Sequence, residues 1–255
     1  MRLPSRLEAV VRQVSIGRVV ADIGTGHGLL ALALVERGIA PRVIATEVRP
    51  GPLAEAERLL REEAGGRVAL RQGWGLTPLA PGEAEVLVLA GMGGGTIAAI
   101  LEHGLSVAQS AEKLILQPQN QSAAVRRWLL AHGFALAAED LAEERGRFYP
   151  VLGAAPLPAG PNSGRDPDRW VREWAAERGL PPWPAGFLLE IGPLLVAERH
   201  PVLQVQLSRR VRLAQELLRR LSAQGSCRAA ARARRVAEEI TLLEEVSAWQ
   251  RRSAP

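Results

Sequence analysis

The sequence holds a single cysteine, Cys227, in 255 residues. That excludes an intrachain disulfide framework and a cysteine zinc cluster. It also holds a single lysine, Lys113, so nearly every cation is an arginine. Genome composition accounts for that preference; where the arginines lie is more informative. No apolar run approaches the roughly 20 residues that span a bilayer. The start, Met1 to Arg6, leads into mixed polar sequence rather than a signal-peptide core. A soluble cytoplasmic chain without membrane association is expected. Neither a Ser-His-Asp constellation nor metal-ligand spacing is visible, so no metal is expected.

What is present is ordinary in bulk and uneven in detail. Apolar residues make up 47% and charged residues 23%, which argues against wholesale disorder. The length suits one large domain or two small ones. Residues 1–160 balance their charges, and the whole net charge of +5 lies in residues 161–255. Arginine binds phosphate bidentately and stacks on bases. The C-terminal third is therefore a candidate nucleic-acid surface.

Short β-branched runs alternate with amphipathic stretches through the first half. Strands are predicted at 19–23, 43–46, 68–71, 86–90 and 114–116, with helices near 28–38, 51–64, 94–103 and 121–132. This alternation predicts an α/β fold, a parallel sheet covered by helices on both faces. Two further strands, 134–143 and 148–152, are joined by the charged turn Glu144-Arg145-Gly146 and predict an antiparallel edge. Residues 154–164 are rich in Pro, Gly and Ala and read as a linker. Trp170, Trp174 and Trp183 beyond it read as packing anchors.

From Pro201 the period changes. Leu207, Val211, Ala214, Leu218 and Leu221 recur at alternating spacings of four and three. Gln224-Gly225-Ser226 then interrupts, and Ala229, Ala233, Val236, Ile240 and Leu243 repeat the pattern. Two such helices predict an antiparallel coiled-coil hairpin. The expected division is a domain at 1–155 and a basic helical domain at 165–255.

The sharpest motif is Asp22-Ile23-Gly24-Thr25-Gly26-His27-Gly28, between a predicted strand and a predicted helix. Its glycines permit a tight turn and close approach of a ligand. Leu29 occupies the place where a dinucleotide fingerprint has its last glycine. Asp22 would repel a pyrophosphate but favours the amine and sulfonium of S-adenosylmethionine. Glu47, ending the second strand, can accept both ribose hydroxyls. Ala90-Gly91-Met92-Gly93-Gly94-Gly95 offers open backbone at the end of the fourth strand. No Asn-Pro-Pro-Tyr stands there, which disfavours an exocyclic-amine DNA methylase. After the fifth strand, Gln117-Pro118-Gln119-Asn120-Gln121 can hold a base edge or the methionine end of a cofactor, or cap the next helix. His27 is the one histidine near the glycine turn; a lone histidine is more often structural.

These residues resemble a known family. Ser5-Arg6-Leu7, Asp22-Ile23-Gly24 with His27, Glu47-Val48 before Gly51-Pro52, and Gly73-Trp74-Gly75-Leu76 match in order. So do Ala90 to Gly94, Leu114 to Pro118, Arg127-Trp128-Leu129, Gly146 to Tyr149, and Ile191 to Leu194. Together they are similar to the bacterial tRNA (adenine(22)-N1)-methyltransferase family. The resemblance implies a Rossmann-like class I methyltransferase sheet, S-adenosylmethionine as methyl donor and tRNA as substrate. It implies cofactor contacts at Asp22, Gly24, Thr25, Gly26, Gly28, Glu47, Val48, Gly73, Trp74, Gly75, Gly91, Met92, Gly93 and Gly94. Asp22, His27 and Asn120 become the catalytic candidates. Arg6, Arg209, Arg210, Arg219, Arg232, Arg234 and Arg235 become the tRNA-binding candidates.

Two positions depart from the family pattern: Gly26 and Trp74 replace acidic or amide residues. Stacking by Trp74 or hydrogen bonding by Gln72 would then serve the cofactor adenine. The rival readings are a class I methyltransferase with another acceptor, and a non-catalytic RNA-binding scaffold. A monomer or weak dimer is expected.

Overall fold

The structure is a computed structural model that describes residues 2–158, 164–224 and 226–252. Five strands run parallel: β1 (Val20–Ile23), β2 (Val43–Glu47), β3 (Val68–Gln72), β4 (Val86–Met92) and β5 (Lys113–Pro118). β6 (Phe134–Glu144) and β7 (Arg147–Pro156) form a hairpin, and the sheet order is β3-β2-β1-β4-β5-β7-β6. β7 is antiparallel to both its neighbours. Its hairpin closes on Arg145 (φ 51) and Gly146 (φ 73), the left-handed pair that a tight two-residue turn requires.

β1 and β2 are buried at every position, as continuous apolar strands covered on both faces should be. One face carries α1 (Ser5–Gln13), α2 (Leu29–Glu36) and α3 (Pro50–Glu63) over a core that includes Val10, Leu34, Val43 and Val88. The other carries α4 (Gly94–His103), α5 (Leu105–Ser110) and α6 (Ser122–Ala131) over Leu87, Leu101, Leu116 and Leu129. The sequence reading contained neither α1 nor α5. The period of α1 is nonetheless visible, since Leu3, Leu7, Val10, Val11 and Val14 recur at helical spacing.

The predicted linker begins too early. β7 continues through Ala154, Ala155 and Pro156, where Ala154 pairs with both Leu114 and Leu136. Pro156 is tolerated because it ends its strand. Of the remainder, residues 159–163 lie outside the described residues, as does Gly225 of the predicted hairpin turn.

Five helices follow: α7 (Pro167–Glu177), α8 (Ala185–Ile191), α9 (Pro193–Ala197), α10 (Pro201–Ser222) and α11 (Cys227–Arg251). Asp166 caps α7 by accepting from Asp168 and Arg169, and Ser226 caps α11 by accepting from Ala229. α10 and α11 run antiparallel: Gln204 bonds Ser247, while Arg210 bonds Glu239. Every apolar residue of the two predicted seams faces this interface or the core beneath it.

The hairpin has an embedded base and a projecting tip. Leu203, Leu207, Leu243 and Val246 share one buried cluster with Leu114, Phe134 and Leu152 of the sheet. Leu221, Ala229, Val236 and Ile240 form a small cluster of their own. Trp174 and Trp183 are buried in the main cluster and Trp170 stacks on Trp174 at 5.7 Å, so these tryptophans are packing anchors. Arg126 and Glu139, both fully buried, join the two regions. Arg126 Nε donates to Glu139 Oε1 at 2.6 Å and Nη1 to Leu189 O at 2.7 Å, while Glu139 Oε2 accepts from Leu194 N at 2.8 Å. No helix among the described residues is long and apolar enough to cross a membrane.

Candidate active site

Strand order reverses between β1 and β4, and the carboxyl ends of strands at such a point form a ligand crevice. The Asp22–Gly28 turn lies there. Gly28 has φ 78, and a Cβ on it would stand 3.2 Å from Leu60 and 3.4 Å from Ala56 of α3. That glycine serves both the turn and the close packing of α3. Gly26 is different: a Cβ there would meet nothing within 4 Å, which leaves open space above the turn. The turn is tied to β2 by Thr25 N donating to Thr46 O at 2.8 Å and Gly26 N to Glu47 Oε2 at 3.1 Å.

Two buried carboxylates face this crevice. Asp22 is 3% exposed and accepts the Thr25 hydroxyl at 2.6 Å. Burial pushes its pKa up to about 6, against the pull of Thr25 and of the Ala31 backbone, with the charge of Glu47 adding to the rise. No cation pairs with it among the described residues. Glu47 is equally buried, and that burial opposes its charge. The Arg49 backbone and guanidinium and the Gly26 N–H outweigh it, so its pKa stands lowered. Three of its four donors, Val48 N, Arg49 N and Arg49 Nε, go to Oε1. Oε2 takes only Gly26 and keeps acceptor capacity toward the crevice.

β3 supplies the next segment. A Cβ on Gly73 would stand 2.3 Å from Pro78, and one on Gly75 2.8 Å from Ile100. Packing alone therefore demands both glycines. Trp74 between them is 36% exposed and meets His103 edge-on at 5.1 Å. Val48 follows the adjoining strand and is 47% exposed. Gly73 N donates to Glu47 O at 3.1 Å, so both apolar side chains rise from joined strand ends.

The ends of β4 and β5 are laced together. Gly91 N donates to Gln117 Oε1 at 3.1 Å, Gln119 N to Met92 O at 2.8 Å and Gly94 N to Asn120 O at 3.2 Å. A Cβ on Gly94 would stand 2.6 Å from Gln121 O and 2.8 Å from Asn120 O. A Cβ on Gly93 would stand 3.3 Å from Asn120 Oδ1, a looser approach. Met92 reaches the first glycine turn, since a Cβ on Gly24 would stand 2.4 Å from its methyl group. The Asp22, Gly91 and Asn120 segments thus form one continuous surface.

A cleft of about 410 Å³ opens beside Asn120, walled by Gln121, Leu141, Phe148, Gln206 and Arg210. Sequence reasoning did not place Gln206 or Phe148 in a site, nor did it single out Thr46. Thr46 is fully buried and links Gly24 N to Gly75 O through its hydroxyl. Its one visible signal is a hydroxyl in an otherwise apolar run.

His27 is exposed and pairs with Glu55 at 2.6 Å. The nominated arginines separate into two groups. Arg6 pairs with Glu144, Arg209 donates to Gly146 O, and Arg210 pairs with Glu190 and Glu239. Arg219, Arg232, Arg234 and Arg235 are exposed near the hairpin tip and enter no ion pair among the described residues. No group of His, Cys, Asp and Glu able to hold a metal occurs among the described residues.

A family profile described as a methyltransferase domain matches residues 3–152. The tRNA (adenine(22)-N(1))-methyltransferase of Bacillus subtilis (strain 168) is 38% identical over 153 residues, 60% of this chain and 64% of that protein. The chain therefore spans just under two thirds of that curated relative. The crystal structure of the B. subtilis m1A22 tRNA methyltransferase TrmK matches with a TM-score of 0.76 and 30% identity, over 96% of this chain and 99% of that one. Streptococcus pneumoniae Sp1610 in complex with S-adenosyl-L-methionine matches with a TM-score of 0.74 and 29% identity, over 96% and 100%.

Proposed function

The chain belongs to the methyltransferase-domain family and, within it, to the bacterial tRNA (adenine(22)-N1)-methyltransferases; from that premise we propose that it methylates N1 of an adenine in tRNA. S-adenosylmethionine is the donor, and when bound it supplies an electrophilic methyl group. The observation that carries this reading is Asp22: an enclosed carboxylate at the strand-order reversal, pushed up to about 6 and without a cation. Such a group suits a cationic ligand and repels a pyrophosphate.

The residues present fit that donor. Asp22 would hold its cationic end, Glu47 Oε2 the ribose hydroxyls, and Val48 and Trp74 the faces of the adenine. The open backbone at Gly26 and Gly91 leaves room for the body of the ligand, since a Cβ at Gly91 would meet only Gln119 Nε2, at 3.8 Å. Gly24, Thr25, Gly28, Gly73, Gly75, Met92, Gly93 and Gly94 shape the same surface. Gln72 and Trp74 both stand exposed at the end of β3, Trp74 offering the adenine a ring face beside Val48 and Gln72 an amide for its edge.

Neutral adenine carries a lone pair on N1, so no general base is required for attack. The protein's task is to extrude the base, align N1 and exclude water. Methylation leaves a cation on the ring, which a nearby carboxylate such as Asp22 stabilises. His27, exposed and paired with Glu55, is assigned no chemical step. Residues 1–155 bind the donor and residues 165–255 present arginines to tRNA phosphates. A tRNA substrate places the protein in the cytoplasm.

The test is transfer of radiolabel from S-adenosylmethionine to bulk unmodified tRNA, followed by nucleoside analysis. Label in 1-methyladenosine is the expected result. Cofactor binding without that label would reassign the acceptor, and loss of cofactor binding would favour a scaffold role.

A further inference from the structure

The β6–β7 hairpin is longer than the sheet it closes. Its strands run 11 and 10 residues, against four to seven for β1 to β5. The register locates the excess. Leu152 of β7 lies opposite Leu116 of β5, so Pro150 comes level with Pro118, where β5 ends. Arg147 stands further on, about 10 Å past the sheet at roughly 3.4 Å per residue. That is the carboxyl end of the parallel strands, where the glycine crevice opens. Phe148 and Pro150, just below the tip, line a cleft together with Asn120. The tip therefore projects beside the donor surface.

Three arginines meet at this tip. Arg145 and Arg147 are exposed and enter no ion pair or side-chain hydrogen bond among the described residues. Arg209 reaches across from α10 and donates to Gly146 O, a carbonyl that leaves its charge uncompensated. Only glycine leaves room for this brace, since a Cβ on Gly146 would stand 2.9 Å from Arg209 Nη1. Of the two nearest acids, Glu144 is taken up by Arg6. Glu143 pairs across the strands with Phe148 and Glu144 with Arg147, so Glu143 projects to the face opposite Arg147. The tip keeps a positive excess.

Its backbone adds a second observation. Arg145 sits in the left-handed region at φ 51. Asn, Asp or Gly suits that turn position at less cost. An arginine held there against backbone preference points to a use for its side chain.

Resting on the methyltransferase reading above, we infer that this tip grips the RNA backbone at the phosphates flanking the acceptor adenine, through Arg145 and Arg147. N1 of a paired adenine is hidden in the helix, so the base must leave the stack. Phosphates held beside the crevice give that motion a fixed frame. The exposed arginines of the α10–α11 hairpin lie farther off, Arg219 being about 15 Å along α10 from Arg209. Those bind the body of the RNA, and the β6–β7 tip addresses the nucleotide to be methylated.

The experiment pairs an Arg145→Gln/Arg147→Gln protein with a tRNA transcript carrying methylphosphonate, an uncharged linkage, on both sides of the adenine that is methylated. On unmodified tRNA the variant should lose roughly tenfold in affinity, the scale of a lost charged hydrogen bond. Its slope of log K against log salt should flatten by about 1.8. Wild-type protein should lose a similar factor on the methylphosphonate transcript, whereas the variant should bind both transcripts alike. Arg145→Gly relieves the turn, so it should weaken tRNA binding without lowering the Tm. Arg147→Lys should keep the salt slope. Donor affinity should not move in any of these proteins. A double variant that discriminates between the transcripts as wild type does would overturn the inference, while wild-type methylation leaves the reaction assignment standing. Wild-type protein that binds donor yet leaves unmodified tRNA unmethylated would overturn both.

Discussion

Asp22 and Glu47 end neighbouring strands, each 3% exposed, and are held in opposite ways: Glu47 has donors enough to keep its charge, and Asp22 does not. A cationic ligand would complete Asp22. Donor affinity should therefore fall as pH drops through about 6, where Asp22 takes up a proton. Below that point the loss should approach tenfold per unit, so binding at pH 5 should be roughly tenfold weaker than at pH 7. Calorimetric titration of S-adenosylmethionine across this range checks it. A flat affinity from pH 5 to 7.5 would remove Asp22 from the cationic end.

The same carboxyl makes a separate prediction about stability. Its folded pKa of about 6 stands above the ordinary aspartate value of 3.8, so the native state binds the proton more tightly. Stability from this group is full below about pH 4 and is lost as pH rises through about 6. The neutral, ligand-free protein then carries a penalty of about 3 kcal/mol. Asp22→Asn should raise the Tm more at pH 7.5 than at pH 4, while abolishing donor binding. Thermal unfolding at the two pH values measures the difference, and an equal shift at both would contradict it.

The glycine turns and Glu47 were legible because backbone demands are written in residue type. Gly28 needs a positive φ, and a run of apolar residues fits a doubly covered strand. The ten seam positions of α10 and α11 were legible for the same reason, since period reports which face is covered. Side-chain partners were not. Arg209 and Arg210 look like Arg219 in sequence, yet two of the three are engaged within the protein. Gly73 and Gly75 read as ligand-binding glycines, whereas Pro78 and Ile100 already require them. Gln206 carried no local signal, because the cleft is assembled from residues far apart along the chain.

Gly94 tests the lacing of β4 to β5. An alanine there would press its methyl group against the backbone carbonyls of Gln121 and Asn120. Backbone on both sides leaves no flexible side chain to yield. Gly94→Ala should displace the 119–121 segment and reduce methyl transfer by more than tenfold, the sensitivity expected when a reacting group is misplaced by about 1 Å. Gly26→Ala meets open space and should remain folded, with a penalty of about 1 kcal/mol from its positive φ. Steady-state kinetics and thermal unfolding of the pair separate the two cases.

Arg126 and Glu139 form a fully buried ion pair that also holds Leu189 O and Leu194 N. Removing one charge leaves the other buried and uncompensated. Glu139→Gln should therefore destabilise the fold by about 3–5 kcal/mol. Replacing both partners with Met and Leu should recover part of that loss, because neither charge is then stranded. Urea unfolding measures both, and an unchanged midpoint in Glu139→Gln would show that the pair contributes nothing.

The projecting half of the hairpin is where phosphate contacts can be tested cleanly. Removing all of residues 199–252 would strip Leu203, Leu207, Leu243 and Val246 from the core, so loss of tRNA binding in that truncation would be uninformative. Arg219, Arg232, Arg234 and Arg235 lie beyond that base, and Arg228 joins Arg232 and Arg235 around a shallow pocket of about 320 Å³. Their charges are unpaired among the described residues, so a polyanion would gain attraction without first breaking an internal bond. Each phosphate contact on a duplex contributes about 0.9 to the slope of log K against log salt. Replacing the four arginines with glutamine should weaken tRNA binding at low salt and flatten that slope by up to about 3.6. Donor affinity should be unchanged, since no residue of the donor crevice is touched. Filter binding across a salt series gives the slope directly, and an unaltered slope would move the tRNA contact away from the hairpin tip.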